Sequence, residues 1–90
     1  MAHTFEELIE KQRAADQAQR RVEALREQYG PPGEAGGWSD TQTRTYNTAW
    51  RAWRDLARDA HTAVTEYAKE QHASLGRVEA QVAEAVRKAP

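Results

Sequence analysis

Apolar and aromatic side chains recur at spacings of mostly three or four residues from Tyr46 to Val86, with one step of seven between Ala68 and Leu75, and this pattern constrains the fold more than any other feature of the chain. At 100° per residue, these side chains lie within about 60° of one line along a helix. Tyr46 and Val82 are 36 residues apart, which is about ten turns, and the phase is kept past Gly76. The pattern predicts one long helix over residues 40–87, with a possible bend or break near 74–76.

A shorter stripe predicts a first helix over residues 5–29. Thr4 and Glu7 have the spacing of a capping box, in which each side chain accepts a hydrogen bond from the backbone of the other residue. Gly30 can adopt the left-handed conformation that ends helices, and Pro31 cannot continue one. The apolar positions of this stripe are Leu8, Ala15, Ala18, Val22, Leu25 and Tyr29.

The segment between the two stripes, residues 30–38, is predicted to be a loop because it is dense in glycine and proline. Ser39 and Gln42 have the spacing of a second capping box, which places the start of the second helix at about residue 40. Trp38 immediately precedes this cap. Either its ring folds over the first turn and closes the end of a helical hairpin, which the position favours, or it is an exposed aromatic anchor for a partner.

The two predicted helices differ in length, at about 38 Å and 70 Å for 1.5 Å per residue. Packed as an antiparallel hairpin, they bring Phe5 opposite about Val64, and Leu8 opposite Ala57 and Ala60. The stripe beyond Val64 is then left without a partner from the first helix. Either the chain breaks near Ser74 and folds back as a third helix, or two chains pair so that each overhang covers the hairpin of the other.

Composition favours the second alternative. The chain holds 17 alanines, whereas leucine, isoleucine, valine and phenylalanine together contribute 11 residues. Alanine favours helix but buries little apolar area, so the core of a single chain is thin and gains stability from association. We therefore predict an all-α protein, an antiparallel helical hairpin of a short and a long helix, assembled as a dimeric helical bundle.

Charge and residue usage restrict the class of protein. Thirteen basic and 14 acidic residues give a formal net charge of −1, which provides no field for attracting nucleic acid or an anionic membrane. Cysteine is absent, and no apolar run reaches the length of a membrane span. We expect a single domain over residues 1–90, located in the cytoplasm, without a membrane partner.

Residue spacing gives no indication of catalysis. His61 and His72 lie eleven residues apart, too far along one helix to share a metal ion, and His3 is close to the N-terminus. Neither Ser39 nor Ser74 has a recognisable histidine and acid arrangement nearby, and the glycine-rich loop lacks the lysine and hydroxyl residue of a phosphate loop. We expect no enzyme activity, no catalytic residues, no metal and no cofactor.

The expected function is therefore that of a small interaction module. It self-associates, and a partner helix from another protein could also dock on the stripe at residues 67–86. The predicted interaction residues are Tyr46, Trp50, Trp53, Val64, Tyr67, Leu75, Val78, Val82 and Val86.

An alternative function is weak nucleic-acid binding, because arginines recur every seven residues on the second helix. The residues concerned are Arg44, Arg51 and Arg58. They lie on the face opposite the tryptophans, which makes a solvated surface the favoured interpretation and nucleic acid an unlikely partner.

Overall fold

The computed structural model describes residues 3–31 and 37–88, and the regular secondary structure of this part of the chain consists of helices alone. It contains α1 (Phe5–Tyr29), α2 (Asp40–Glu70) and α3 (Leu75–Lys88), which pack together as a helical bundle. The prediction of an all-α fold is confirmed. The predicted loop falls partly on residues 32–36, which lie outside the described residues.

The boundaries of α1 agree with the prediction from its capping residues. The hydroxyl oxygen of Thr4 accepts a hydrogen bond from the backbone N–H of Glu7 at 3.1 Å. The Glu7 carboxylate pairs with the imidazole of His3, so the reciprocal half of the predicted capping box is replaced by another contact. At the other end, Gly30 has φ 75° and donates its backbone N–H to the carbonyl of Arg26. Glycine tolerates this left-handed conformation, and the helix ends there.

The start of α2 also follows from its cap. The Ser39 hydroxyl accepts from the Gln42 backbone N–H at 3.1 Å, and the Gln42 side-chain oxygen accepts from the Ser39 backbone N–H at 2.9 Å. Both halves of this capping box are present. Four backbone N–H groups at a helix start lack intrahelical partners, and the box satisfies two of the backbone donors at this end.

The prediction of one helix over residues 40–87 is wrong, because α2 ends at Glu70. His72 adopts a left-handed conformation with φ 52°. Its backbone N–H donates to the carbonyl of Lys69, and that of Ala73 donates to the carbonyl of Ala68. This pair of hydrogen bonds is the Schellman motif that closes many helices, here with histidine at the position usually taken by glycine.

A new helix, α3, starts at Leu75, two residues after Ala73. The Ser74 hydroxyl accepts a hydrogen bond from the backbone N–H of Arg77 at 3.2 Å and so caps α3. The break thus covers residues 71–74 and meets the possible bend or break near 74–76 at Ser74. Val64 and Val86 border the same crevice although 22 residues separate them in sequence. The chain has therefore reversed direction between α2 and α3.

All three described helices contribute to the main core. Leu8 of α1 is fully buried, and the other buried residues of its cluster come from α2 and α3. This cluster comprises Leu8, Ala63, Val64, Ala68, Val78 and Val82. Leu8 thus shares a cluster with Ala63 and Val64, one turn beyond the alanines expected from the sequence. The stripe that follows Val64 is covered by the returning segment of its own chain, as in the first of the two alternatives.

The remaining part of the hairpin has a second, smaller core. Val22, Leu25 and Ala49 are buried there, and Tyr29, Tyr46 and Trp53 pack against them. Ring centroids of Phe5 and Tyr67 at the opposite end lie 6.1 Å apart, so α1 and α2 run antiparallel. We call residues 18–30 and 38–56 the two-helix half, and residues 5–16, 57–70 and 75–88 the three-helix half.

Candidate interaction surface

Five of the nine predicted interaction residues pack in or against the main core of their own chain. Val64, Val78 and Val82 are buried in the main core, and Tyr67 and Val86 are partly buried against it. The stripe at residues 67–86 is therefore not free for a partner helix while α3 is folded back. The physical reason is that the four-residue connection lets α3 cover the same apolar face that an overhang would have exposed.

The exposed part of the stripe lies in the two-helix half. Trp50 remains 39% exposed, which is unusual for so large an apolar side chain in a small bundle. Trp53 is half-buried on the smaller core, with its ring centroid 6.5 Å from that of Trp50 at an interplanar angle of 81°. The Arg54 guanidinium lies over the Trp50 ring, 5.4 Å from its centroid. This cation–π contact orients the indole without covering it fully.

Trp50 and Trp53 lie on the same face of α2 as the residues that α3 covers. Val64 is three turns beyond Trp53 and four turns beyond Trp50, and it borders the crevice with Val82 and Val86. We call the surface formed by Leu8, Ala63, Val64 and Ala68 the α3-binding groove. The α2 side of this groove continues past the end of α3 as an open surface.

An acidic edge on α1 borders the same region. Asp16 lies beside Arg87 and Val86, the last residues of α3 to border the crevice. From there α1 continues for 13 residues to Tyr29, about 20 Å, and none of the residues that the structure describes forms a third helix beside this length. Asp16 and Glu23 are seven residues apart, about two turns, so both carboxylates lie on one face of α1, where they accept hydrogen bonds from the Gln12 and Gln19 side chains at 3.0 and 3.5 Å. We call the surface formed by Trp50, Trp53, Asp16, Gln19 and Glu23 the open face.

Trp38 is partly buried at the loop end of the two-helix half. Its indole N–H donates to the carbonyl of Gly30 at 2.9 Å. Its ring packs edge-on against Tyr29 and Tyr46, with centroids 5.6 and 4.8 Å away. These contacts are those expected if Trp38 closes the hairpin, and they also explain why Tyr46 is half-buried.

The three arginines of the alternative function are exposed on α2. Arg44 borders a shallow groove together with Arg21 of α1 and the hydroxyl residues Thr45 and Thr48. Asp40 borders the neighbouring surface of Arg44 and Arg51 and offsets part of their positive charge. Arg21 was not part of the predicted set, because a pattern within one helix does not show which residues of another helix lie beside it.

A cluster of titratable groups joins the beginning of α1 to α2. The imidazole of His3 contacts the Glu7 carboxylate at 2.9 Å and the Glu66 carboxylate at 2.8 Å. These hydrogen bonds raise the pKa of His3 above its ordinary value of 6.5, and the hydrogen bond to Glu66 has the larger effect of the two. The His3 contact also lowers the pKa of Glu7. The sequence shows the four-residue spacing of His3 and Glu7, but not the contact with Glu66.

Asp59 of α2 accepts a hydrogen bond from the ammonium group of Lys11 at 2.6 Å and raises the pKa of Lys11.

Among the described residues, no three histidine, aspartate or glutamate side chains are grouped so that they could hold a metal ion. Within the same residues, no helix combines the length and apolar character that crossing a bilayer requires.

A scan of protein-family models and searches of curated proteins and of solved structures gave no match.

Proposed function

We propose that this protein is a non-enzymatic helical interaction module, and that its open face binds an amphipathic helix of another protein. One observation carries the proposal: the α2 side of the α3-binding groove extends past the end of α3, and Trp50 is 39% exposed there. Burial of an exposed tryptophan is a common source of binding energy, because its large surface leaves water with little loss of conformational freedom.

The geometry of α3 indicates what kind of partner fits. α3 has 14 residues, about 21 Å of helix, and the uncovered length of α1 beyond Asp16 is about 20 Å. A helix of three to four turns therefore fits end to end with α3. Val82 and Val86 line the adjacent crevice, so a partner with aliphatic residues spaced by three and four continues the same packing.

The charged residues of the open face indicate how a partner helix would be oriented on it. Asp16 and Glu23 form the α1 edge of the open face, whereas Arg54 lies on the α2 edge over Trp50. A partner helix with basic side chains on the flank that faces α1 complements this arrangement. α3 itself follows the rule, since Arg87 borders the crevice beside Asp16. Such charges contribute mainly to orientation and association rate.

The test is an NMR titration of the labelled protein with designed helical peptides. The probe carries leucines at helical spacing and lysines on one flank. A peptide of the same composition in scrambled order and one with glutamate for lysine are the controls. We expect shifts concentrated at the indole N–H groups of Trp50 and Trp53, with at least tenfold weaker binding for Trp50→Ala.

Leu56→Ala is the matched protein control, because Leu56 is a similarly exposed apolar residue of α2 and does not belong to the open face. Its affinity for the lysine-flanked peptide should equal that of the unchanged protein. Equal binding of the ordered and scrambled peptides, or full binding by Trp50→Ala, contradicts the proposal. Absence of any shift at millimolar peptide also contradicts it.

Self-association is the second part of the proposal. Its support no longer comes from an uncovered overhang, since α3 covers the stripe. It comes from the connection between α2 and α3, because a short connection with a residue in the left-handed conformation, here His72, can act as a hinge.

We also propose that the protein is located in the cytoplasm. The absence of cysteine from its sequence is compatible with this location.

A second candidate function is binding of a nucleic-acid backbone. It is supported by the groove in which Arg21 joins Arg44 beside the hydroxyls of Thr45 and Thr48, all of them groups that contact phosphates in other proteins. The test is a mobility-shift assay with DNA and RNA at low salt. Arg→Ala at residues 44, 51 and 58 together should abolish a salt-dependent shift. No shift at low salt removes this candidate.

A further inference from the structure

We infer that two copies of this chain exchange their α3 helices, with α2 and α3 joined through residues 71–74 into one continuous helix in each copy. The α3-binding groove of one copy then holds Val78 and Val82 of the second copy. This inference rests on the self-association part of the proposed function and names its mechanism. It commits to one occupant of the groove, a second copy of this chain.

The first support is the phase of the stripe. Val78 and Val82 follow Val64 by 14 and 18 residues, which is about four and five turns. A continuous helix therefore places both valines within about 40° of the line through Val64. When residues 71–74 become helical, α3 therefore presents the same apolar face as it does when folded back. The residues of the stripe that are buried in one form are also on the buried face in the other.

The second support is that the exchange restores the same contacts. α3 reverses direction relative to α2, since Val64 and Val86 border one crevice. Two continuous helices that cross in antiparallel orientation near residues 72–73 bring Val78 opposite about residue 67 and Val82 opposite about residue 63. Ala63, Val64 and Ala68 are the α2 residues that share a core with these valines inside one chain. The core is thus rebuilt between copies without loss of burial.

The third support is the chemistry of the connection. Residues 71–74 read Gln-His-Ala-Ser and contain neither glycine nor proline, so all four residues can continue a helix. The left-handed conformation of His72, with φ 52°, is unfavourable for a residue with a Cβ atom. A continuous helix relieves this strain, and short strained connections favour exchange between copies.

Leu75 gives the fourth support. It is 36% exposed where α3 folds back. In a continuous helix it lies eleven residues after Val64, within about 20° of the same line. Close to the crossing point, its side chain then meets the second copy and leaves water. The exchanged dimer therefore buries one apolar residue that the folded-back chain leaves exposed.

The experiment uses the absence of cysteine in the chain. Arg58→Cys and Glu84→Cys together place spin labels on two exposed residues, 26 positions apart. In a continuous helix their backbones lie about 39 Å apart. With α3 folded back, adjacent helix axes lie 8–10 Å apart, and the label distance stays under about 25 Å.

Labelled chains are diluted with unlabelled chains and refolded from denaturant at high micromolar concentration, so that only distances within one chain are detected. Light scattering after size-exclusion chromatography then identifies monomer and dimer. We expect a concentration-dependent dimer with the long distance and a monomer with the short one.

Leu75→Pro and Leu75→Ala form the matched pair of variants. Proline is well tolerated at the first position of a helix, which Leu75 occupies in α3, but it breaks a helix that continues through this point. Leu75→Pro should reduce the dimer at least tenfold and keep the helix content of the monomer. Leu75→Ala should still exchange. His72→Gly should weaken the dimer several-fold, because glycine tolerates the left-handed conformation and disfavours helix.

The outcomes distinguish a failure of self-association from a failure of the α3 exchange. A strict monomer for the unchanged protein at high micromolar concentration overturns both self-association and the exchange. A dimer with only the short intrachain distance, or a Leu75→Pro variant that dimerises as well as Leu75→Ala, overturns the exchange and shows that copies associate through another face.

Discussion

The indole N–H of Trp38 donates a hydrogen bond to the carbonyl oxygen of Gly30 at 2.9 Å, and this contact ties the residue before the α2 cap to the residue that ends α1. The same ring lies between Tyr29 and Tyr46. The end of the two-helix half is thus held by one hydrogen bond and two aromatic contacts. No third helix lies beside it within the described residues.

Substitution of Trp38 should therefore loosen the hairpin. We expect Trp38→Phe to lower the free energy of unfolding by about 1 kcal/mol, since the ring is partly kept and one hydrogen bond is lost. Trp38→Ala should cost about 3 kcal/mol, because both aromatic contacts disappear. Urea unfolding followed by far-UV circular dichroism measures both values. A silent Trp38→Ala would favour the exposed-anchor interpretation.

The main core depends on one leucine of α1. Leu8 is fully buried between α2 and α3, in a core otherwise built from alanine and valine. We expect Leu8→Ala to lower the free energy of unfolding by about 2–5 kcal/mol through lost burial and a residual cavity. Leu56→Ala, at an exposed leucine, should cost well under half as much. Similar losses for the two variants in thermal unfolding contradict this core.

Two glycines should respond in opposite directions to the same substitution. A Cβ atom meets nothing within 4 Å at either Gly30 or Gly76. Gly76 lies inside α3, so Gly76→Ala should raise the free energy of unfolding by about 0.5–1 kcal/mol. Gly30 has φ 75°, and Gly30→Ala should lower it by about 1 kcal/mol. Chemical unfolding decides the signs, and stabilisation by Gly30→Ala would disprove the backbone assignment at the end of α1.

Stability should depend on pH through His3. Contacts with Glu66 and Glu7 raise the pKa of His3 above 6.5, so its contribution is fully present below pH 6.5 and is lost as pH rises through the raised pKa. The pKa of Glu7 is lowered from 4.5, so the contribution of Glu7 is present above pH 4.5 and is lost as pH falls through the lowered pKa. Between about pH 4.5 and 6.5 both contributions are present.

The measurement is the melting temperature across this pH range. His3→Gln should remove the fall of the melting temperature above pH 6.5, and Glu66→Gln should reduce it, because Glu66 is the stronger of the two partners. Lys11→Met is a control that removes another contact between α1 and α2 without a group that titrates near neutral pH. A decline above pH 6.5 that survives in His3→Gln would assign it to another residue.

The helix ends that rest on local chemistry were predictable from the sequence. Thr4, Gly30, Ser39 and Gln42 act through hydrogen bonds to residues at most four positions away, so their spacing contains the necessary information. The end of α2 was not predictable in the same way. His72 takes a conformation in which glycine is the usual residue, and the apolar phase continues unchanged across the reversal.

The candidate site was predictable only in part. Periodicity identified Trp50 and Trp53, but it gave equal weight to Val78 and Val82, which the reversal buries. Asp16 and Glu23 were missed because they belong to α1, and their place on the open face depends on how the helices pack. Periodicity shows which residues share a face of one helix, whereas burial is decided by what packs on that face.

The uneven coverage of the hairpin has an optical consequence. Trp38, Trp50 and Trp53 are the three tryptophans of the chain, and all of them lie in the two-helix half. Tryptophan fluorescence therefore reports on that half alone, whereas peptide absorption bands report on every turn of the bundle. A fluorescence transition at lower temperature than the circular dichroism transition would resolve two units of unequal cooperativity within 90 residues.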